Sequence, residues 1–135
     1  MKIPILFIML FLHIVDDYYL QGVLAKLKQK SFWEENYLVD DAPDPLYKND
    51  YIVALLEHGF SWTFMVMLPA LVWMFYYNDF HPWLYALYFA QHMILHASID
   101  NNKANLKIIN LWQDQLWHFC QVVVIWFSMF YGVLR

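Results

Sequence analysis

The chain has 135 residues, of which 61 % are apolar, 21 % aromatic and only 15 % charged, whereas a soluble domain is nearer about 45–50 % apolar and about 25 % charged. A net charge of −4, from eight Lys and Arg against twelve Asp and Glu, supplies no clustered basic face for phosphate and excludes nucleic acid as a partner. The single cysteine, Cys120, can form no internal disulfide and tells nothing about compartment.

A surface this apolar belongs in lipid, so the composition predicts an all-α, polytopic membrane protein. Residues 3–15, IPILFIMLFLHIV, resemble the apolar core of a secretory signal, but only Lys2 precedes them and no small-residue cleavage site follows. The expectation is a retained first span over roughly 3–21, with His13, Asp17 and Gln21 on one face at four-residue steps. Residues 22–50 are the one soluble-looking stretch: Lys26, Lys28 and Lys30, then Glu34, Glu35, Asp40, Asp41, Asp44 and Asp50, with Pro43 and Pro45 breaking any long helix. This reads as a loop or an interfacial segment, with Phe32, Trp33, Tyr37 and Tyr47 at headgroup level.

A second span is expected over 52–77, kinked at Pro69, with Glu57 beside His58 as a solvated start. Asn78, Asp79, Phe80, His81 and Pro82 form a turn, a third span covers 83–100, and a fourth covers 111–134 after the polar connection NNKANLKIIN. The whole is one transmembrane helical domain, a bundle of four helices.

Six of the eight basic residues fall after the first span (Lys26, Lys28, Lys30, Lys48) or between the third and fourth (Lys103, Lys107). The positive-inside rule makes both connections cytoplasmic and both termini external, in an inner (plasma) membrane; Lys2 and Arg135 are weak contrary votes. At one depth this topology then gathers His13, Asp17 and Gln21, His58, His96 and Asp100, and Asp114 and His118, from four helices. His92, His96 and Asp100 step by four along the third span, and Asp114 and His118 along the fourth.

Ionisable groups inside a membrane cost roughly 2.5–3.5 kcal/mol each at a span centre, so they turn inward and find partners. A divalent metal is one partner that satisfies many together, and imidazole with carboxylate suits Zn, Mn or Fe. The candidate ligands are His13, Asp17, His58, His92, His96, Asp100, Asp114 and His118. Asp17 or Asp114 is the candidate proton carrier, and Lys103 a holder of an anionic group. Beside this stand blander readings: hydrogen-bonded packing histidines, an Asp100–Lys103 pair capping the third helix, and His81 as a turn residue.

The order HIVDDYYLQ at 13–21, the isolated His58, HASIDNNK at 96–103 and DQLWH at 114–118 resembles the small bacterial and phage membrane proteins grouped as domain of unknown function family 3307. The resemblance spans nearly the whole chain and selects His13, Asp17, Gln21, His58, His96, Asp100, Lys103, Asp114, Gln115 and His118, with Lys26 or Lys30 for a first lysine. His92 and Asp16 lie outside that pattern, and 34–50 looks like an insertion. The resemblance implies architecture and site position rather than a reaction.

Two classes of function follow. One is a metal-dependent hydrolase acting on a lipid or a phosphorylated small molecule at the cytoplasmic leaflet. The other is a transporter, channel or proton relay using the same groups, in which an oligomer of the chain can build a pore. A regulatory phage or host membrane protein with a purely structural cluster is a third reading.

Overall fold

In a computed structural model the chain is described over residues 2–77 and 80–131. The turn residues Asn78 and Asp79, the end of the fourth expected span and Arg135 lie outside the described residues.

The structure is all-helical apart from one small hairpin. Helix α1 (Lys2–Val15) runs into a single π-helical turn (Asp16–Leu20), where the Gln21 amide bonds the carbonyl of Asp16 at 3.1 Å. A π turn carries one more residue than an α turn. The adjacent carboxylates Asp16 and Asp17, which open this turn, are both buried.

The acidic stretch folds into α2 (Leu24–Leu27), α3 (Lys30–Asn36), an antiparallel pair β1 (Leu38–Val39) with β2 (Ala42–Pro43), and a 3-10 turn (Pro45–Tyr47). Asp40 and Asp41, at φ 51° and 63°, form the two-residue hairpin turn that demands positive φ at both positions, a conformation Asp tolerates. Trp33, Tyr37 and Tyr47 stack on one another, with Tyr37 and Tyr47 ring centres 4.3 Å apart, and the Trp33 indole donates to the Leu27 carbonyl at 2.7 Å. Ring stacking therefore holds this segment together.

Three long helices follow: α4 (Asp50–Tyr76), α5 (Pro82–Ala104) and α6 (Leu111–Tyr131). Pro69 lies inside α4, which continues on both sides of it, and Pro82 opens α5 at the position where a missing N–H costs nothing. Two stretches, Lys2–Leu20 and Pro45–Tyr76, are long and apolar enough to cross a membrane.

Met9, Trp62, Val66, Met67, Ala70, Val122 and Ile125 form the apolar core between α1, α4 and α6. At one end of it Lys2 donates to the Phe130 carbonyl at 2.9 Å and the Trp126 indole donates to the Lys2 carbonyl at 2.9 Å. At the other end lie the C-terminal parts of α1 and α5 and the N-terminal parts of α4 and α6. Helices α4 and α5 approach closely at Gly59, where an added Cβ would stand 2.7 Å from the Met93 carbonyl oxygen.

Candidate metal centre

The α1 end contributes His13, Asp16 and Asp17. The His13 Nδ1 accepts from the Trp62 indole at 2.7 Å, so its proton sits on Nε2, which donates to the Gln115 amide oxygen at 3.2 Å. The Gln115 amide nitrogen in turn donates to Asp17 Oδ2 at 3.1 Å and to Asp114 Oδ2 at 3.2 Å. Asp16 accepts from the Ser61 hydroxyl at 2.6 Å and faces His58 Nδ1 at 3.6 Å.

From α4, His58 presents Nε2 to Asp17 Oδ1 at 3.3 Å and to Asp100 Oδ2 at 3.5 Å. From α5, His96 places Nε2 3.9 Å from both Asp17 Oδ1 and Asp100 Oδ1, its ring stacked on Trp62 with centres 4.2 Å apart. From α6, His118 Nε2 lies 3.1 Å from Asp100 Oδ1 and 3.4 Å from Asp114 Oδ1. Two triads result, Asp17–His58–His96 and His96–Asp100–His118, sharing His96, with the ligand atoms of each within 4.8 Å of one another. All five residues are buried.

Much of the set is unsatisfied. Asp17 Oδ1, both nitrogens of His58, both nitrogens of His96, His118 Nδ1, Asp114 Oδ1 and Asp16 Oδ2 are buried without a hydrogen bond among the described residues. Buried polar atoms are normally paired. Carboxylate oxygens and imidazole nitrogens converging with so few hydrogen bonds are an arrangement that a cation can complete, and the two triads have the donor types to hold a metal ion.

Two lysines close the end of the cluster farthest from the apolar core. Lys28 meets Asp100 Oδ2 at 2.5 Å and Lys103 meets Asp114 Oδ2 at 2.7 Å. Asn105 fixes the approach of Lys28, donating to its carbonyl at 3.0 Å while accepting from the Lys30 amide at 2.7 Å. The four buried carboxylates Asp16, Asp17, Asp100 and Asp114 then outnumber their lysine partners Lys28 and Lys103 by two negative charges. One divalent cation, or two protons on the histidines, restores neutrality.

Of the expected site residues, His13, Asp17, His58, His96, Asp100, Asp114 and His118 meet in one connected cluster, with Lys103 at its edge. His13 has both ring nitrogens in hydrogen bonds and stands beside the triads. His92 belongs to neither triad: it shares α5 with His96 but turns to Gln121, whose amide nitrogen donates to the His92 carbonyl at 2.8 Å and to its Nδ1 at 3.2 Å. Lys103 pairs with Asp114, which corrects the Asp100–Lys103 cap, and the lysine that reaches Asp100 is Lys28. Glu57 is exposed.

Sequence reasoning passed over Asp16, Lys28, Ser61 and Trp62. For Asp16 the one available signal was the acidic pair itself at the end of an apolar helix. The chain matches no family model, no curated protein and no solved structure.

Proposed function

We propose that the chain is a four-span, multi-pass protein of a bacterial inner membrane that holds a divalent metal, Zn, Mn or Fe, at the cytoplasmic ends of its helices and uses it to hydrolyse a lipid or phosphorylated substrate. The observation that carries the reading is the pair of buried His/Asp triads sharing His96, with unpaired ligand atoms and a deficit of two positive charges.

The membrane part rests on which side chains face outward. Helices α5 and α6 bury His92, His96 and Asp100, and Asp114, His118 and Gln121, while their outer faces carry Trp83, Leu87 and Ile94, and Trp112, Trp117 and Phe127, each more than half exposed. Phe7, Phe11, Val72 and Phe75 do the same for α1 and α4. An apolar belt of this extent exceeds what water-soluble monomers expose. The orientation with both termini outside rests on the lysines, since Lys26, Lys28, Lys30, Lys48, Lys103 and Lys107 all fall in the two connections at the polar end of the bundle. Nine of the residues selected by the resemblance to domain of unknown function family 3307, His13, Asp17, His58, His96, Asp100, Lys103, Asp114, Gln115 and His118, take part in the cluster.

A bound divalent ion supplies a water ionisable near neutral pH and polarises a phosphoryl or carbonyl oxygen. Asp17, His58 and His96, or His96, Asp100 and His118, would provide its ligands. Asp114, outside both triads with Oδ1 unpaired, is positioned to take a proton, and Lys103, 37 % exposed at its side chain, to hold an anionic group. His13 and Gln115 orient Asp17 and Asp114.

The test is elemental analysis of the full chain purified in detergent without a metal-affinity step, beside His96→Ala and His118→Ala. Near-stoichiometric metal that both substitutions remove is expected; absence of metal from the parent protein refutes the centre. The competing relay reading, in which two protons fill the charge deficit, gains nothing from the far half of the bundle: beyond His92, Gln121 and Thr63 the core is Val66, Met67, Ala70, Ile125 and Met129.

A further inference from the structure

A groove of about 490 Å³ runs between α5 and α6 on the outer side of the bundle, with Leu95, Ile99, Trp117 and Val124 among its walls. Its volume falls within the range of small-molecule sites, and Leu95, Trp117 and Val124 are exposed, so it opens sideways, toward lipid.

At its inner wall are His92 and Gln121, 2 % and 3 % exposed. The Gln121 amide nitrogen donates to His92 Nδ1, which places the imidazole proton on Nε2. This leaves one donor, His92 Nε2–H, and one acceptor, Gln121 Oε1, buried without a hydrogen bond among the described residues. Two such groups beside an apolar groove are costly unless something pairs with them. The metal centre does not use either.

We propose that this groove binds a neutral lipid through a hydroxyl group, which accepts from His92 Nε2–H and donates to Gln121 Oε1 while its hydrocarbon chain lies along α5 and α6. Neutrality follows from the lining, whose polar members His92, Asn102, Cys120 and Gln121 include no lysine, arginine or carboxylate, and from depth. Eight residues of helix separate His92 from Asp100, roughly 12 Å at 1.5 Å per residue, so the pair lies well inside the bilayer, where a charged headgroup does not go. A hydroxyl is the smallest group that offers both an acceptor and a donor. The proposal rests on α5 and α6 lying in lipid and is independent of the metal.

Cys120, the single cysteine, lines the same groove and is exposed, so its alkylation by N-ethylmaleimide reports occupancy. In the full chain in detergent, 1-dodecanol should slow that alkylation saturably, at concentrations roughly tenfold below those needed with dodecane or dodecyl phosphate. Gln121→Leu should bring dodecanol to the level of dodecane. Leu95→Trp, which fills the groove from its exposed wall and leaves the buried pair in place, should abolish protection by every probe. Equal protection by dodecane, no protection by dodecanol, or undiminished protection in either variant overturns the proposal. Metal content is read in the same samples; its absence throughout, with dodecanol protection intact, refutes the metal centre alone.

Discussion

Lys28 and Asp100, 72 positions apart in sequence, meet at 2.5 Å with their side chains only 13 % and 4 % exposed. The contact ties the short helices after α1 to the end of α5 and places a fixed positive charge against a carboxylate of the second triad. Removing one partner of a buried pair leaves the other uncompensated and costs up to about 3–5 kcal/mol, less where water reaches it. Lys28→Met should therefore lower the melting temperature of the metal-free protein, yet raise its affinity for Zn, because no lysine then competes with the cation for Asp100. Thermal melts with and without Zn, with calorimetric titration, check both signs; equal destabilisation in the two states removes Asp100 from the ligand set.

Asp16 faces His58 Nδ1 at 3.6 Å, too far for a hydrogen bond but near enough for its charge to favour the imidazole tautomer with the proton on Nδ1 and Nε2 free for a metal. Asp16→Asn keeps an acceptor for Ser61 but not the charge, and should weaken metal binding roughly tenfold or more with little change in helicity. The exposed Glu57, exchanged for Gln, should leave affinity unchanged.

At Gly59 the added methyl of Gly59→Ala would meet the Met93 carbonyl at 2.7 Å. Backbone cannot rotate aside as a side chain can, so α4 and α5 must separate. A loss of about 1–3 kcal/mol is expected, together with weaker metal binding, since His58 and His96 lie on these two helices next to the contact. Chemical denaturation monitored by circular dichroism measures the first and metal titration the second.

Ligand histidines must be neutral and ligand carboxylates ionised, so protons compete with the ion. Metal content after equilibrium dialysis should fall as pH drops through about 6, near the ordinary histidine range, and return when pH is raised. Retention of full occupancy at pH 4 would contradict imidazole ligation.

In a Cys120→Ser background, a cysteine at Glu35 should resist a membrane-impermeant maleimide applied to intact cells, and one at Trp83 should react. The reverse pattern inverts the proposed orientation.

The four long helices and the meeting of their polar ends were legible because each depends on patterns along a single helix: an apolar run for length, a four-residue step for face. Lysine placement then put the polar ends at one level. Which carboxylate pairs with which lysine was not legible, since Lys28 reaches Asp100 from a segment whose path is set by Asn105 and by the Trp33–Tyr37–Tyr47 stack. His92 misled for the opposite reason. It keeps step with His96 and Asp100, but across from it stands Gln121 rather than another acid. The hairpin at Asp40 and Asp41 was hidden among acidic residues that read as plain loop.

The π turn at Asp16–Leu20 also has a genetic meaning. An α-helix becomes a π turn by gaining one residue, so the chain beyond Leu20 leaves α1 rotated by that extra residue. Losing a codon from Tyr18 to Leu20 would straighten the helix and re-aim the segment that brings Lys28 to Asp100, while His13, Asp16 and Asp17, which precede the deletion, stayed with the body of α1. The charge set against the second triad can thus be altered in one mutational step, without redesigning the bundle that carries the ligands.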